Sequence, residues 1–366
     1  MTKKKALIVS SYPAPYRVAV FEGLANEYAV DVYFDTCQNE SRHADWFCKS
    51  STCHFEILDN NNSRQKFSKA LKNIASYDFV IAYDPARKPA MKAIMRCIVM
   101  GVPYFANNDG AFIKPNLLKD LVKRILFSRV AACFSSGKSA TEYFHHYGVP
   151  YSKIVEHKFT SIRRNDIAKC PLTMQERSDQ RKKLNLPAKK TVISVGQFIP
   201  RKGFDVLLHA WSKLTDDIQL VIVGGGEERK TYEGLIADFH LKNVQLIDFM
   251  PKEILFEYYR ASDLFVLPTR EDVWGLVINE AMAVGIPVIS TNRCNAALEL
   301  IENGINGYIV GVGDEVSLAE RISEILTDDT KNMAMSVANI EKARQFTLEE
   351  IVCSHIATIN KTLLKI

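Results

Sequence analysis

Short apolar runs alternate with helix-like segments along two successive stretches of the chain. The first stretch contains the runs KALIVSS, AVDVYFD, YDFVIAY, VPYFAN and VAACFSS, and the second contains TVISVG, IQLVIVG, VQLID, LFVLP and IPVIS. Apolar runs separated by helices are typical of a parallel sheet that helices cover on both faces. The alternation therefore predicts an α/β chain made of two Rossmann-like, doubly wound domains.

A polar, charged stretch separates the two alternating regions. Residues 163–190 hold no long apolar run, which is typical of a linker region with a short surface helix. The chain has 366 residues, whereas single hydrophobic cores stop growing at roughly 250–300 residues. We therefore predict domains at 1–168 and 169–346, followed by a terminal helix over 347–366.

The composition is that of an ordinary soluble globular protein, with 47% hydrophobic and 24% charged residues. Because no apolar run approaches the roughly 18 residues that a membrane span needs, we expect any membrane contact to be peripheral. The opening MTKKKALIVSS has too short an apolar run for a signal peptide and favours a first strand. The eight cysteines form no CxxC pair, which favours reduced thiols in a cytoplasmic protein.

The net charge of +5 is unevenly distributed, since residues 1–170 carry +10 and the remainder carries −5. Either the two halves simply differ in their solvated surfaces, or the first half meets an anionic phospholipid surface or a phosphate-bearing substrate. The segment NLLKDLVKRILFSR in this half predicts an amphipathic helix. Its leucine and isoleucine stripe is either core or a membrane contact flanked by Lys119, Lys123, Arg124 and Arg129.

Two loops of the second half carry groups suited to an anion. Arg201 and Lys202 follow the strand TVISVG, where cations beside helix amides form a phosphate site unless they are merely solvated. Gly275 begins the helix GLVINEAMAV, so the amides of Gly275, Leu276 and Val277 are expected to face the same crevice. In open α/β sheets, ligands bind where such loops converge.

Two carboxylates accompany these amides. Asp272 precedes the helix, and Glu280 lies within its apolar sequence. A carboxylate in an apolar helix is costly unless it is paired, so Glu280 indicates either a salt bridge or a ligand with hydroxyl groups. A diphosphate that joins a ribose to a sugar would satisfy the amides, the cations and both carboxylates.

The segments VGQFIPRKGFDVLLHAW, VIVGGGEE, FMPKEILFEYYRASDLFVLPTREDVWGLVINEAMAVGIPVIS and ELIENGINGYIV resemble the carboxyl-terminal domain of family 4 glycosyltransferases. These are retaining, metal-independent enzymes of GT-B fold, in which two Rossmann-like domains face across a cleft. The similarity covers about residues 190 to 312 and is weaker in the first half. There, YPAPYRVAVFEGL, NNDGAF and SSGKSATEYFHHYGV resemble enzymes that build bacterial surface polysaccharides such as lipopolysaccharide or capsule.

The resemblance implies a role for each matching residue of the second half. Lys202 matches a lysine that neutralises the donor diphosphate, and Glu280 matches a glutamate that binds ribose hydroxyls. Asp272 stands where the family usually has a glutamate next to the transferred sugar. Gln197 occupies the place of a common phosphate-binding arginine, which Arg201 is expected to replace.

In the first half, Asp109 of NNDGAF matches the region where such enzymes place a His or Asp against the donor sugar, although an Asx-turn role is the alternative. Arg17 of SSYPAPYR is a candidate for contact with phosphate or acceptor. The resemblance further implies that the terminal helix returns toward the first domain, with the acceptor mainly in the first domain and the donor in the second.

The sequence therefore predicts a retaining hexosyltransferase-type enzyme that needs neither metal nor cofactor. Its expected partners are a nucleotide-sugar donor, a lipid-linked glycan acceptor and an anionic membrane surface at the cytoplasmic face, with no nucleic acid. The alternative is a non-catalytic sugar-nucleotide-binding subunit that supports another transferase. A nicotinamide-dependent oxidoreductase is disfavoured because no GxGxxG follows either first strand.

Overall fold

The computed structural model describes residues 2–37, 47–48, 51–110, 112–113 and 116–365. It divides into two compact units, of which the first comprises residues 1–160 and 347–366 and the second comprises residues 161–346. Each unit has its own parallel sheet and its own helices, which confirms the α/β class that the alternation predicts. The C-terminal segment belongs to the first unit, so this unit is built from both ends of the chain.

The sheet of the first unit is parallel throughout the described residues. Its strands are β1 (Lys5–Ser10), β2 (Ala29–Phe34), β3 (Phe55–Ile57), β4 (Phe79–Tyr83), β5 (Tyr104–Asn108), β6 (Ala132–Ser135) and β7 (Ile154–Glu156). They lie in the order β3-β2-β1-β4-β5-β6-β7, so the strand order reverses between β1 and β4. The reversal opens a crevice at the carboxyl ends of these two strands.

Helices connect the strands of the first unit. They are α1 (Pro15–Glu27), α2 (Asn61–Lys72), α3 (Lys88–Met100), α4 (Leu117–Phe127) and α5 (Lys138–His146). Single 3-10 turns lie at Ile74–Ser76 and Tyr151–Lys153. The β1 side chains from Ala6 to Val9 are fully buried, as expected for a parallel strand that is covered on both faces.

The sheet of the second unit is also parallel throughout the described residues. Its strands are β8 (Lys190–Val195), β9 (Ile218–Val223), β10 (Val244–Ile247), β11 (Leu264–Leu267), β12 (Val288–Thr291) and β13 (Gly307–Val310). Their order is β10-β9-β8-β11-β12-β13, with the reversal between β8 and β11. The loops that follow β8 and β11 therefore meet at the carboxyl edge of the sheet.

The remaining helices complete the two units. They are α6 (Met174–Lys183), α7 (Phe204–Trp211), α8 (Arg229–Asp238), α9 (Lys252–Ala261), α10 (Leu276–Ala283), α11 (Asn295–Leu300), α12 (Glu315–Thr327) and α13 (Asp329–Ala343) in the second unit, and α14 (Leu348–Leu363) in the first. Further 3-10 turns lie at Arg164–Asp166 and Pro200–Lys202.

The predicted linker region contains a helix that is anchored more firmly than a surface helix would be. α6 begins with a capping box between Thr173 and Glu176. On its inner face, Arg177 is buried against the carbonyl of Ser262, and Arg181 Nε donates to the carbonyl of Ala261 at 2.9 Å. The buried face of α6 carries arginine side chains rather than apolar ones. The polar sequence therefore gave no indication that this helix packs against the rest of the unit.

Candidate functional site

The turn that carries Lys202 is held close to the loop after β11. Pro200–Lys202 forms a single 3-10 turn that ends at Gly203, whose φ is +69°. A Cβ atom at Gly203 would lie 2.2 Å from the carbonyl oxygen of Pro268, so the approach requires glycine. Thr269 reinforces it, since its hydroxyl donates to the carbonyl of Arg201 at 3.0 Å.

Lys202 and Asp272 form a buried ion pair. Lys202 Nζ lies 2.5 Å from Asp272 Oδ2, and both residues are 9% exposed. Arg201 Nη1 lies 3.7 Å from the other carboxylate oxygen, so two cations surround one anion and leave a positive charge. Burial by itself raises the pKa of Asp272, but the charge and hydrogen bond of Lys202 outweigh it and hold this pKa below its ordinary value.

The loop between Asp272 and α10 is fixed by the loop after β12. The Asp272 amide donates to the carbonyl of Arg293 at 2.9 Å, and the Asn295 amide donates to the carbonyl of Asp272 at 3.3 Å. Gly275 has a φ of +102°, and a Cβ atom there would lie 2.7 Å from Cys294 Sγ. Close packing at Gly275 therefore fixes the backbone path that leads into α10.

The backbone amides of the first turn of α10 follow Asp272 closely along the chain. Leu276 and Val277 are partly exposed, and amides of a first helical turn have no acceptor within their own helix. Gln197 is also partly exposed, in the loop after β8. The carboxyl edge of the second sheet thus combines helix amides, two cations and one ionised carboxylate, which is suited to binding a polyanion that also carries hydroxyl groups.

Glu280 lies farther along α10, five residues after Gly275, or about 7.5 Å at the rise of an α-helix. Its carboxylate accepts hydrogen bonds from the Ser161 hydroxyl at 3.1 Å and the Tyr259 hydroxyl at 3.2 Å. Burial raises the pKa of Glu280, although the nearby charge of Lys252 and both hydroxyls oppose the rise. Among the described residues, hydroxyl groups rather than a close cation satisfy this carboxylate.

In the first unit, Arg17 gathers two carboxylates at the carboxyl edge of the sheet. Its side chain is 7% exposed, Nη1 lies 2.7 Å from Asp84 Oδ2, and Nη2 contacts Asp109 Oδ2. Nη1 also donates to the Ser10 hydroxyl at 2.8 Å. Burial lowers the pKa of Arg17, but the charges of Asp109 and Asp84 raise it well above its ordinary value, so the guanidinium stays charged.

Asp109 is held by three side chains. Besides Arg17, the Tyr16 hydroxyl donates to Asp109 Oδ2 at 3.0 Å, and Asn107 Nδ2 donates to Asp109 Oδ1 at 2.8 Å. The side chain of Asp109 remains 15% exposed. The predicted residues Arg17 and Asp109 therefore lie together, and both terminal nitrogens of Arg17 are engaged by carboxylates.

Asp84 is a site residue that the sequence analysis missed. It follows β4 directly and has a φ of +53°, a left-handed conformation that is uncommon for residues other than glycine. Its side chain is 31% exposed and accepts hydrogen bonds from Arg17 and from the Ser11 hydroxyl. A signal was available, because the aspartate of YDFVIAYDPAR stands between a strand and a proline at the carboxyl edge of the sheet.

The described residues contain no helix long and apolar enough to cross a membrane. Within the same residues, no group of three or more His, Cys, Asp or Glu side chains is arranged to hold a metal ion.

Comparison with known proteins identifies the second unit most clearly. Residues 176–345 match the family model described as glycosyl transferases group 1. The D-inositol 3-phosphate glycosyltransferase of Corynebacterium efficiens is 31% identical over 178 residues, which covers 46% of this chain and 42% of that protein. The lipopolysaccharide core biosynthesis glycosyltransferase LpsE of Rhizobium meliloti is 31% identical over 179 residues, covering 48% and 52%. The chain thus spans about half the length of these curated relatives.

Solved structures match nearly the whole chain. HepE of Anabaena in complex with UDP superimposes with a TM-score of 0.79 at 16% identity, covering 98% of this chain and 100% of that one. WaaG, a glycosyltransferase involved in lipopolysaccharide biosynthesis, gives a TM-score of 0.66 at 19% identity, covering 96% and 99%. The chain therefore has the two-domain α/β GT-B fold, and its residues 176–345 match the glycosyl transferases group 1 family.

Proposed function

We propose that this chain is a retaining, metal-independent glycosyltransferase, which transfers a sugar from a nucleoside diphosphate donor to an acceptor hydroxyl. The observation that carries the proposal is the cluster of Lys202, Arg201 and Asp272 at the strand-order reversal of the second sheet. The match of residues 176–345 to the glycosyl transferases group 1 model supports it. So do the related structures of HepE, which were solved with UDP, with UDP and glucose, and with UDP-glucose.

The donor diphosphate is proposed to bind at Lys202, Arg201 and the amides of Gly275, Leu276 and Val277. The net positive charge of the ion cluster and the helix amides would stabilise the diphosphate as it leaves the sugar. Asp272 would accept hydrogen bonds from hydroxyls of the transferred sugar, and Gln197 would lie beside the phosphates. Because the transferred sugar develops oxocarbenium character, a carboxylate near it also stabilises the transition state.

Glu280 is proposed to bind the ribose hydroxyls of the donor. Its carboxylate already accepts from the hydroxyls of Ser161 and Tyr259, so its surroundings suit a hydroxyl donor. The cost of keeping a carboxylate at a half-buried position is consistent with a role in ligand binding.

Asp109 is proposed as the catalytic carboxylate of the first unit. Arg17, Tyr16 and Asn107 hold its oxygens in place, so it is preorganised for contact with a sugar hydroxyl. In this proposal Arg17 acts by orienting Asp109 and Asp84, since its terminal nitrogens are engaged by these carboxylates.

The acceptor is proposed to be a lipid-linked glycan used in surface polysaccharide biosynthesis, which would be met at the cytoplasmic face of the membrane. An exposed apolar surface of the first unit supports this, and we name it the α3–α4 face. Its exposed apolar side chains are Met95, Val99 and Met100 of α3, and Leu117, Leu118, Leu121, Val122 and Ile125 of α4.

Basic side chains accompany the α3–α4 face and suit an anionic lipid surface. Lys92, Arg96, Lys119, Arg124 and Arg129 are exposed on or beside the two helices. Apolar side chains flanked by cations are the composition of an interfacial helix. Of the stripe that the sequence predicts, Leu117 and Leu118 are 92% and 79% exposed, whereas Leu126 is buried in the core.

Lys123 of α4 is only partly exposed and is held by tyrosine side chains, whereas Arg124 of the same helix is exposed and donates to the carbonyl of His146 at 3.2 Å. The Lys123 ammonium group donates to the Tyr147 hydroxyl at 3.0 Å and lies over the rings of Tyr143 and Tyr147. Of the four cations that the sequence proposes for a lipid contact, the proposal therefore rests on Lys119, Arg124 and Arg129.

The direct test is release of nucleoside diphosphate from a panel of UDP-, GDP- and ADP-sugars by the purified full chain, with and without EDTA. We expect hydrolysis or transfer from at least one donor, with unchanged rate in EDTA. The anomeric configuration of the product, read by NMR, tests retention. Binding of a nucleotide sugar without any turnover, across acceptor extracts, would instead favour a non-catalytic supporting subunit. Strict dependence on added Mg²⁺ or Mn²⁺ would contradict the metal-independent mechanism.

A further inference from the structure

A small chamber lies beneath Arg17, inside the first unit. It is lined by side chains of α1, β4, β5, the segment after β7, and α14. The polar lining residues are Tyr16, Arg17, Tyr83, Asn107, Asp109, His157 and His355. Tyr83, Asn107, His157 and His355 are each at most 4% exposed, so these polar side chains are shielded from solvent.

Five buried polar atoms of this chamber have no protein hydrogen-bond partner among the described residues. They are Arg17 Nε, Tyr83 Oη, Asn107 Oδ1, His157 Nδ1 and His355 Nε2. Isolated buried atoms of this kind are costly and rare, and their grouping around one small space indicates a partner that several of them share. Such partners are commonly ordered water molecules.

The donors and acceptors among these atoms match the needs of one water molecule. His355 Nδ1 lies 2.8 Å from the carbonyl oxygen of Ile351, so Nδ1 carries the proton and Nε2 is an acceptor. Asn107 Nδ2 donates to Asp109, which leaves Asn107 Oδ1 as an acceptor. Arg17 Nε and the Tyr83 hydroxyl are donors. Two donors and two acceptors complement the two lone pairs and two protons of water.

We propose that this chamber is an internal water-binding site, in which an ordered water accepts from Arg17 Nε and Tyr83 Oη and donates to Asn107 Oδ1 and His355 Nε2. The room for the centre of a water-sized sphere is about 10 Å³, which is about what a single water needs. His157 Nδ1 is the remaining polar atom at its edge.

The titration of the two histidines is consistent with this site. Burial lowers the pKa of His355 to about 4, and burial together with the neighbouring His355 lowers the pKa of His157 well below its ordinary value. Both imidazoles are therefore neutral at neutral pH and keep a lone pair for a donor. The charged groups facing them in the chamber are Arg17 and Asp109, which are paired with each other.

The water connects α14 to the carboxylates of the candidate site. Arg17 uses its terminal nitrogens for Asp84 and Asp109, and its remaining nitrogen reaches His355 through the water. His355 is therefore a positioning residue, which fixes the guanidinium that orients Asp109. This consequence rests on the proposed function, whereas the water site itself does not.

Removal of one hydroxyl tests the water site without reference to activity. Tyr83→Phe deletes a hydroxyl that has no hydrogen-bond partner among the residues that the structure describes. Tyr104→Phe is the matched control because its buried hydroxyl donates to the carbonyl of Leu126 at 2.8 Å. We expect both variants of the full chain to lower the Tm by a similar amount, about 2–4 °C. An unchanged or raised Tm for Tyr83→Phe alone indicates a dry chamber and overturns the proposal.

A crystal structure that resolves ordered water gives the direct test. We expect a water within hydrogen-bond distance of Arg17 Nε and His355 Nε2. Direct pairing of these atoms with other protein groups, or no water between them, overturns the proposal.

The positioning role has its own readout. His355→Phe keeps a buried ring but cannot accept from water, whereas the amide oxygen of His355→Gln can. We expect His355→Phe to lower kcat by about 10- to 100-fold with little change in donor KM, as for a misplaced catalytic group, and His355→Gln to recover part of the loss. Equal loss in both variants overturns the positioning role. If the wild-type chain transfers no sugar, the proposed function fails while the Tm and crystal tests still decide the water site.

Discussion

Individual carboxylates of this protein are kept in different protonation environments by their neighbours. Asp272 has a lowered pKa because Lys202 compensates its burial, while Glu280 has a raised pKa because only hydroxyls and a more distant lysine oppose its burial. The Asp272 carboxylate is stabilised in its ionised form by the charge cluster. Ionisation of Glu280 is instead unfavourable, because burial disfavours its charged form. Both environments fit the proposed donor site, where one carboxylate lies beside phosphate-binding cations and the other meets hydroxyls.

Replacement of Lys202 tests the charge cluster. Lys202→Ala should lower kcat by roughly 10²–10³-fold, because its charge would stabilise the departing diphosphate. Arg201 remains near Asp272, so the thermal stability should fall less than activity. The control is Lys242→Ala, an exposed lysine just before β10 at the opposite edge of the sheet, which should leave turnover unchanged. Equal loss of activity in both variants would argue against the assigned role.

Glu280→Gln separates ligand binding from stability. Because the pKa of Glu280 is raised on folding, the folded chain binds a proton at this carboxyl group more tightly than the unfolded chain does. The stability that this group contributes is therefore lost as the pH rises through the pKa of Glu280 in the folded chain. At neutral pH the variant should therefore keep or raise the Tm, while donor binding weakens by about 1.5–3 kcal/mol. Isothermal titration and thermal melts measure both, with exposed Glu253→Gln as the control. A lower Tm with unchanged donor affinity would indicate a purely structural carboxylate.

At the scale of single elements, the sequence predicted where helices lie but not always which of their faces are buried. α4 begins where Asn116 accepts a hydrogen bond from the Lys119 amide, as its position before the apolar repeat suggests. The periodicity left open whether its apolar stripe is core or surface, and exposure of Leu117, Leu118 and Leu121 excludes core for these residues. α6 is the converse, since its polar sequence conceals two buried arginines.

The α3–α4 face should bind anionic vesicles. With vesicles of equal parts phosphatidylcholine and phosphatidylglycerol, binding should fall steeply as salt rises. Lys119→Gln with Arg124→Gln should cost roughly 1 kcal/mol per cation. Leu117→Ser with Leu118→Ser should cost about 1.5–3 kcal/mol per leucine at any salt concentration. Co-sedimentation measures both effects.

The matched control for this surface is Val316→Ser, which changes a residue of α12 that is 57% exposed in the second unit. It should leave vesicle binding unchanged. A wild-type chain that ignores anionic vesicles at low salt would remove the membrane proposal and favour a soluble acceptor.

For the whole molecule, the first unit should be the more acid-sensitive part because of its buried histidines. The pKa of His355 is about 4 in the folded chain and about 6.5 when unfolded, so its contribution to stability is fully present above pH 6.5 and is lost as the pH falls toward 4. The loss from this residue should reach about 3 kcal/mol near pH 4. His157 adds to it in the same direction.

Thermal melts of the full chain between pH 4.5 and 8 test this sensitivity. The Tm of His355→Phe should depend less on pH than that of the wild type, because the variant cannot take up the proton. His146→Gln, which changes an exposed histidine of the same unit, should follow the wild-type profile. A wild-type and a His355→Phe profile of equal slope would contradict the assignment.

The sequence by itself determined the architecture of this protein. Apolar runs of β-branched residues, helical periodicity and glycine at the ends of helices are local properties, so they were sufficient to predict two doubly wound units and the loops at Lys202, Asp272 and Asp109. They also predicted that these loops meet at the carboxyl edges of the sheets, because parallel strands impose it.

Only the tertiary structure decided which side chains pair. Lys202 and Asp272 are 70 positions apart, and Arg17 lies 67 positions from Asp84 and 92 from Asp109. Such pairs depend on the strand order and on close backbone contacts such as that of Gly203 with Pro268, which no local pattern contains. For the same reason, the sequence could not predict the exposure of the α4 leucines or the unpaired polar atoms in the chamber beneath Arg17. Whether a side chain is buried or hydrogen-bonded depends on neighbours that the chain brings together only on folding.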